Sequence, residues 1–302
     1  MMSPELKKIA QIAQRHATAD GELHTSVPRL TIYRSSSPTD YDAVVYLPSL
    51  CVILQGAKEV VVGGEAFRYD PAQSLLVSVD MPAATRVVEA SAKNPCLAIR
   101  IEIQSVDVAE LLAGGAMVPA RTSTSRGIGV IPVENSLLDA IRRLLALMDT
   151  PNDIESLAPL ILREITYRLL SGPEGIRLRQ TAASGGPAQR IARAISWLKE
   201  HFAEPAKVES VASHVGLSPS AFHQHFKRMT GLSPLQYQKR FRLQEARRLM
   251  FSEGLEAAEA AFRVGYESPS QFGREYRRLF GAPPRQDIAD LTANSAAPGV
   301  SH

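Results

Sequence analysis

The sequence predicts an α+β protein in which a small antiparallel β domain precedes an all-helical domain. Residues 29–103 contain at least six short runs rich in β-branched and apolar residues, separated by turn signals such as Gly63-Gly64 and Asn94-Pro95. That spacing is typical of a small antiparallel sandwich or barrel. After residue 187 the pattern becomes helical, and the stretch at residues 215–234 recurs, with one inserted residue, at residues 264–284.

Helices are expected on both sides of the β-rich segment. An amphipathic helix is predicted over residues 3–17. Its apolar face consists of Leu6, Ile9, Ala10 and Ala13. Two further helices with apolar stripes are predicted within residues 134–171.

These patterns divide the chain into four parts. Residues 1–171 form the N-terminal domain, which includes the helical segment 134–171, and residues 188–286 form the helical domain. Residues 172–187, rich in Gly, Ser and Pro, are expected to be an exposed linker. Residues 287–302 lack apolar periodicity and are expected to be a disordered tail.

The composition is that of a soluble globular protein, with 45% apolar and 22% charged residues. No apolar run approaches the ~18 residues needed to cross a bilayer. The N-terminus lacks a signal-peptide pattern, so no membrane partner is expected. Cys51 and Cys96 are too few for a disulfide framework. A reducing, cytoplasmic location is therefore expected.

The net charge of +3 is unevenly distributed along the chain. Residues 1–186 contain 18 basic and 20 acidic side chains, whereas residues 187–285 contain 16 basic and 9 acidic ones. The excess of positive charge therefore lies in the helical domain, which favours a polyanionic partner for that domain alone.

The repeated stretch has the pattern of a helix-turn-helix motif. In the first copy Ser218 can cap a helix with Pro219 at its first position, and Gly216 stands where a left-handed turn residue is needed. Phe222, Phe226 and Met229 form its inward face, and the second copy repeats this arrangement with Phe272, Tyr276 and Leu279. A short helix, a glycine turn and a capped helix with a polar, basic outer face predict DNA binding.

A longer helix is predicted between the two copies, from Ser233 to about Met250. At 1.5 Å per residue it is roughly 25 Å long. Such a helix can hold two recognition helices about one DNA turn apart, roughly 34 Å. A solvated helical bundle would also have polar outer faces, but two copies with matching basic faces favour binding in two consecutive major grooves.

Residues 188–285 resemble the DNA-binding domain of the AraC/XylS family of bacterial transcription regulators, including the stretch AAFRVGYESPSQFGREYRRLFGAPP. Residues 28–105, with PSLCVILQGAKEVVVGG and FRYDPAQSLLVSVDMPA, resemble the cupin-like N-terminal domain of one branch of that family. The resemblance implies a nucleoid-associated regulator, an activator, that binds double-stranded promoter DNA and contacts RNA polymerase. It also implies a homodimer and an unidentified small-molecule effector sensed by the barrel.

The family's base-contacting positions fall on the outer faces of the second helix of each copy. They are Ser220, Ala221, His223 and Gln224 in the first copy and Ser270, Gln271, Gly273 and Arg274 in the second. Arg274 can form a bidentate contact with guanine and Gln224 with adenine. Gly273 departs from the family pattern because it has no side chain to read a base. Phosphate contacts are expected from Lys227, Arg228, Arg277 and Arg278.

No catalytic site, cofactor or metal is expected. A metal-dependent cupin needs two or three histidines and a carboxylate, yet none of the seven histidines lies between Thr25 and Glu200. Neither a phosphate-binding glycine loop nor a nucleophile elbow is present. His223 and His225 point to different sides of their helix, which argues against a metal site there.

Cys51 and Cys96 lie in apolar runs and are expected to be buried, with a thiol sensor as the alternative. The segment 134–171 carries more apolar surface than one packing partner explains, so it is predicted to mediate a homodimer. The residues expected at that interface are Ile141, Leu144, Leu145 and Met148. The alternative is that both helices cover the β domain.

Two other functions remain open from the sequence. One is a DNA-binding architectural or repair protein whose barrel serves only dimerisation. The other is a cupin enzyme fused to a DNA-binding module. The first would bind unrelated DNA sequences with similar affinity, and the second would hold a metal.

Overall fold

The computed structural model describes residues 4–71, 73–114, 126–172, 175–182 and 185–296. Its strands form two antiparallel sheets, with the orders β1-β2-β9-β4-β7-β10 and β3-β8-β5-β6. The strands are β1 Gly21–His24, β2 Leu30–Ser35, β3 Asp42–Tyr46, β4 Ser49–Gln55, β5 Ala57–Val62, β6 Glu65–Tyr69, β7 Gln73–Val77, β8 Met81–Glu89, β9 Cys96–Glu102 and β10 Ile128–Pro132. The predicted small antiparallel β domain is confirmed.

Alternate side chains of the central strand β4 pack into two different apolar cores, one on each face of the larger sheet. Cys51 and Ile53 point into the space between the sheets, whereas Leu50, Val52 and Leu54 point to the opposite face of the larger sheet. Since successive side chains of a strand alternate between faces, an uninterrupted apolar run is what a strand covered on both sides requires. We call the space between the sheets the barrel interior.

The described residues up to 182 include five helices. They are α1 Pro4–His16, α2 Ser105–Ala113, α3 Asn135–Ala146, α4 Ile154–Ser171 and α5 Ile176–Ala182. The α1 helix follows the prediction, with Leu6, Ile9, Ala10 and Ala13 buried. Two 3₁₀ turns, Leu147–Asp149 and Pro151–Asp153, connect α3 to α4.

Helices α3 and α4 pack over the outer face of the larger sheet. Ile141, Leu144 and Leu145 are 0% exposed and Met148 is 9% exposed, and all four lie in one apolar cluster with Val52 of β4. The prediction that these four residues form a dimer interface is therefore wrong, because the core of their own chain already covers them. The alternative, that both helices cover the β domain, describes what is seen.

The segment expected to be an exposed linker is partly structured. Helix α5 places Leu178 in the same apolar core as α4, and Gln180 is also buried. The linker prediction is wrong for residues 175–182, since an apolar residue at Leu178 gives this short helix a buried face. Residues 173–174 and 183–184 lie outside the described part of the chain.

Seven helices lie within residues 185–296, the described C-terminal part. They are α6 Pro187–Glu200, α7 Val208–His214, α8 Pro219–Thr230, α9 Pro234–Ser252, α10 Ala257–Arg263, α11 Pro269–Phe280 and α12 Pro284–Ala296. In the ranges described above, none of the helices combines the length and apolarity that a bilayer span requires.

The predicted disordered tail is wrong for residues 287–296, which belong to α12. Asp287 is buried and accepts hydrogen bonds from Tyr276 Oη at 2.6 Å and from Arg247 Nε at 2.8 Å. A buried charge needs such partners, and here they fix α12 against α9 and α11. Residues 297–302 lie outside the described part of the chain.

The apolar cores do not follow the division into a β domain and a helical domain. Phe222, Phe226 and Met229 of α8 belong to the same continuous cluster as Val79 and Met81 of the barrel interior. The second half of α9 packs with α10 and α11 in a separate cluster. The first helix-turn-helix is therefore joined to the barrel, and the second has a core of its own.

Candidate nucleic-acid interface

Helix α8 begins at the residues that the sequence predicts. Ser218 Oγ accepts a hydrogen bond from the Ala221 N–H at 3.3 Å, and Pro219 occupies the first turn, where its missing N–H costs nothing. Gly231 ends the helix in the left-handed conformation, with φ 74°. The turn from α7 uses Gly216, with φ 70°.

Helix α11 repeats this construction. Ser268 Oγ accepts a hydrogen bond from the Gln271 N–H at 3.4 Å, and Gly281 ends the helix with φ 84°. Gly265, in the turn from α10, has φ 85°, and a side chain there would also collide with the Ala203 carbonyl oxygen. Glycine is thus required at this turn both by conformation and by space.

Aromatic residues anchor the inner faces of both helices. In the first motif Phe226 packs edge-on against Phe222 and against Tyr237 of α9, with ring centroids 5.4 Å apart in both pairs. In the second, Phe272 contacts Tyr276, also at 5.4 Å. Because these rings are buried, each helix is fixed in rotation about its axis, and its opposite face is presented to solvent.

The predicted base-contacting residues lie together on these outer faces. Six of them are exposed: Ser220, His223, Gln224, Ser270, Gln271 and Arg274. Ala221 and Gly273 are half-buried. The predicted phosphate-contacting residues Lys227, Arg228, Arg277 and Arg278 are all exposed. Contact with DNA stays a prediction for all twelve residues, each of which is at least partly accessible on the surface.

The basic residues of α11 carry charge that the described chain does not neutralise. Across the described ranges, Arg274, Arg277 and Arg278 have no ion pair or hydrogen bond from their guanidinium groups. Three unpaired guanidinium groups on one helix repel one another in the absence of an anion. The outer face of α11 is therefore suited to a polyanion.

Glu275, in contrast, serves the structure. It accepts hydrogen bonds from Lys239 Nζ at 2.6 Å, Tyr266 Oη at 2.8 Å and Gln271 Nε2 at 3.4 Å. Burial alone would raise the pKa of Glu275, but these donors hold the pKa below its usual value. The carboxylate thereby ties α11 to α9 and restrains the orientation of Gln271.

A cleft of about 420 Å³ lies between α9 and α11, where the sequence predicts no site. Lys239 and Arg240 of α9 line it together with Arg274 and Arg278 of α11. The adjacent basic residues Lys239 and Arg240 are the only hint of this cleft in the sequence of α9. The packing of the two helices is what places this pair beside the basic face of α11.

Helix α9 holds the two motifs in a fixed relation. Ser233 and Gln236 form a capping box at its start, with the Gln236 N–H donating to Ser233 Oγ at 3.3 Å. Farther along, the Arg242 guanidinium donates to the Phe202 carbonyl, in the loop between α6 and α7, and to the Gly265 carbonyl of the second motif, the latter at 3.2 Å. Arg242 is thus a connecting residue, not a DNA contact.

Metal-ligating side chains and thiols are the groups of the barrel that the sequence singles out for chemistry. Among the residues that the structure describes, no group of three or more His, Cys, Asp or Glu side chains could hold a metal ion. Both thiols are buried, and burial raises the pKa of Cys51 and raises that of Cys96 to about 11. Protonated thiols are poor nucleophiles, so the interpretation as buried core thiols is favoured over a sensor.

A barrel joined to two helix-turn-helix motifs with exposed basic faces is the architecture of a DNA-binding transcription regulator. A family model described as the AraC-type transcriptional regulator N-terminus matches residues 26–177, and one described as a helix-turn-helix domain matches residues 211–289. The chain belongs to the AraC family of transcriptional regulators.

Similar proteins agree with this assignment. The transcriptional activator RhaS of Citrobacter koseri is 30% identical over 195 residues, which are 64% of this chain and 68% of that protein. RhaS of Escherichia coli strain SMS-3-5 is 30% identical over 156 residues, so the chain matches 55% of its length. These relatives are transcription factors and not enzymes.

The fold is shared with ToxT of Vibrio cholerae O395. A crystal structure of ToxT superposes with a TM-score of 0.60 and covers 87% of this chain and 98% of the ToxT chain, at 11% sequence identity. At that identity the likeness concerns the arrangement of the barrel and the two motifs alone.

Proposed function

We propose that this protein is a sequence-specific transcription activator that places α8 and α11 in two consecutive major grooves of promoter DNA. The observation that carries the proposal is the duplication. Two helices with the same cap, the same buried aromatic stripe and exposed polar and basic outer faces are held by one helix, α9. Its 19 residues span roughly 28 Å, close to one turn of DNA.

The barrel is proposed to control the first motif through direct contacts. Tyr237 Oη donates to the Asp80 carbonyl at 2.9 Å, and Lys199 pairs with the Asp80 carboxylate at 2.8 Å. The Gly127 N–H donates to the Met229 carbonyl at 3.0 Å. A small molecule that shifts the barrel would therefore move α8. ToxT, which shares the fold, has been solved with an unsaturated fatty acid bound.

Assembly belongs to the same proposal. Leu157, Leu160 and Tyr167 of α4 are exposed and lie on one side of that helix. We infer that a second copy of the chain covers this face, which would set two pairs of recognition helices on one promoter. An activator must in addition contact RNA polymerase, and that contact is part of the proposal.

Two variants distinguish residues that contact DNA bases from residues that contact phosphates. Arg274→Ala should weaken binding to the native site by about 1–3 kcal/mol and relax the preference at one or two base pairs. Arg277→Ala, one turn farther along α11, should weaken binding to every sequence alike and lower the log–log salt slope by about one. Both variants are titrated with salt against the native site and a scrambled duplex.

The same titration tests the alternatives. Equal losses for Arg274→Ala on both duplexes would show that Arg274 only holds phosphate. An architectural protein predicts similar wild-type affinity for both duplexes, whereas a regulator requires a ratio of roughly 10³ or more. A ratio near one would overturn the proposed function.

A further inference from the structure

A cavity of about 410 Å³ opens into the barrel interior. Its walls combine aromatic, small and polar side chains from both sheets, among them Tyr33, Tyr46, Cys51, Tyr69 and Ala98. This volume lies within the usual range for sites that bind small organic molecules. The chemistry of its charged residues indicates what class of molecule fits.

Lys58 lies on the wall of this cavity because it shares its strand face with Val60 and Val62, which belong to the interior cluster. Its ammonium nitrogen stands 3.7 Å from the centre of the Tyr33 ring. Among the residues that the structure describes, Lys58 makes no hydrogen bond and no ion pair. Burial lowers the pKa of Lys58, as expected for an ammonium group that has lost water without gaining an acceptor.

Arg100 faces the same cavity from the opposite sheet. On β9 it alternates with Ile99 and Ile101, which point to the outer core. Its terminal nitrogens reach Glu22 at 3.1 and 3.3 Å, while its Nε is buried and without a hydrogen-bond partner. A buried donor without an acceptor is costly, so an acceptor at this point would be stabilising.

Among the described residues, no acidic side chain around the cavity accepts a hydrogen bond from Lys58 or from the Nε of Arg100. Glu22 and Asp42 are exposed, and each already pairs with an arginine: Arg100 for Glu22 and Arg247 for Asp42. Asp40 is exposed at the opening. The remaining cation, Arg86, pairs with Glu59 outside the barrel. Positive charge therefore dominates the inside of the cavity, and the negative charges lie at its mouth.

We propose that the barrel interior is the site for a small organic carboxylate, which accepts hydrogen bonds from Lys58 and from the free N–H of Arg100 while its apolar body packs against the tyrosine rings. A carboxylate supplies several acceptor sites and a negative charge. A neutral ligand would leave the ammonium charge uncompensated, and a cation would add to it. The inference deepens the proposed function, because it names the class of effector for the barrel.

A larger cleft, about 830 Å³, lies between the barrel and α6 and is the competing location. Its charged lining residues include Asp80, Arg193 and Glu200, so both signs are represented. Lys199, which could add positive charge there, is held by Asp80 at 2.8 Å. Nothing in that cleft selects an anion as the barrel interior does.

The experiment measures binding of 4-phenylbutyrate to the full-length protein by isothermal titration calorimetry at constant ionic strength. Its amide, 4-phenylbutyramide, is the matched neutral probe, and inorganic phosphate is the matched small anion. Lys58→Met removes the proposed ammonium contact. Lys93→Met removes an exposed lysine in the loop between β8 and β9 and serves as the control.

Saturable 1:1 binding of 4-phenylbutyrate is expected, with at least tenfold weaker binding of the amide and of phosphate. Lys58→Met should weaken 4-phenylbutyrate binding at least tenfold, Lys58→Arg should restore most of it, and Lys93→Met should leave it unchanged. No binding, equal binding of the amide or of phosphate, or an unaffected Lys58→Met overturns the inference. So does a loss with Arg193→Met but not with Lys58→Met, which would place the ligand in the larger cleft.

If the Lys58→Met variant does not fold, the wild-type protein still provides a test of the carboxylate site. Bound 4-phenylbutyrate should protect Lys58, and not Lys93, from reductive methylation followed by mass spectrometry. Unprotected Lys58 overturns the inference. Specific DNA binding without carboxylate binding would leave the proposed function intact and overturn the inference about the barrel. Lys58-dependent carboxylate binding without DNA sequence preference would support the inference and overturn the proposed function.

Discussion

Gly273 leaves a gap in the outer face of α11 that bears on both stability and recognition. An added Cβ would meet no atom within 4 Å, and the backbone is helical. Gly273→Ala should therefore stabilise the protein by up to about 1 kcal/mol, since glycine is the weaker helix former. Chemical denaturation of the DNA-free protein measures this gain.

The same substitution reports on how closely DNA approaches. If the backbone of α11 lies against base edges, Gly273→Ala should weaken DNA binding although it stabilises the fold. Ala221→Gly, in the first turn of α8, is a reverse change in the other recognition helix; the residue of α8 that is equivalent to Gly273 is His223. A destabilised Gly273→Ala protein would contradict the open surroundings of this residue.

The two cysteines are expected to resist thiol reagents in the folded protein. At pH 8 neither thiol should react with Ellman's reagent until denaturant is added, because burial keeps both protonated. The unfolded thiol has a pKa of about 8.5, and the folded Cys96 has one of about 11. The folded state thus holds its proton more tightly, and this contribution to stability is present below about pH 8.5 and is lost as the pH rises towards 11. Rapid labelling of one native thiol at pH 8 would instead support the sensor interpretation.

At the scale of elements, α4 presents the strongest candidate for self-association. Leu160 is 63% exposed, with Leu157 at 42% and Tyr167 at 46% on the same side of the helix. Leu160→Asp should convert a dimer into monomers in sedimentation experiments, because a buried unpaired carboxylate is costly. Phe251→Asp, at an apolar residue of α9 that is 46% exposed, is the control and should not change the assembly. A dimer that survives Leu160→Asp would place the interface elsewhere.

Elements defined by local signals were the ones that the sequence could predict. The Ser-Pro starts and glycine ends of α8 and α11 act within a single turn of helix, so the printed sequence contains everything that sets them. Helices α5 and α12 instead depend on distant partners, namely the core around Leu178 and the Arg247–Asp287 ion pair. Composition alone made the first segment resemble a linker and the second a disordered tail.

The residues of the candidate DNA interface also divide into those that local sequence signals predict and those that only tertiary packing brings together. The outer faces of α8 and α11 follow from helical periodicity, and the structure presents them as expected. Lys239 and Arg240 join them only because α9 packs beside α11. The error at Ile141 and Leu145 has the related cause that an apolar stripe does not reveal whether its own chain or a second one covers it.

At the scale of the whole molecule, two glycines join the barrel to the first motif. Gly63, in the turn between β5 and β6, has its backbone against Gly231 at the end of α8, and a Cβ on Gly63 would lie 2.6 Å from the Gly231 Cα. Gly63→Ala should therefore separate the domains, whereas Gly64→Ala, also at positive φ but with no atom within 4 Å, should add backbone strain alone.

Hydrogen exchange distinguishes the two variants. The Gly127 N–H, bonded to the Met229 carbonyl, should lose protection in Gly63→Ala and keep it in Gly64→Ala. DNA affinity should change in the first variant only, because the barrel then no longer restrains α8. Equal protection in both variants would show that the glycine contact does not hold the domains together.

The continuity between the barrel interior and the core of the first helix-turn-helix limits how such a regulator can be recombined. A chimera joined near residue 187 would divide the apolar cluster that the barrel shares with the first motif. Each half of that cluster would then have to pack against a different protein's residues. A cut within α9, after Tyr237 and before Leu243, instead falls between the two apolar clusters, although Phe202 packs against the second cluster from the N-terminal side. In this protein the barrel and its first motif are therefore expected to behave as one unit. Replacing the second motif, which carries Arg274, Arg277 and Arg278, is the exchange expected to change DNA preference with the least damage to the fold.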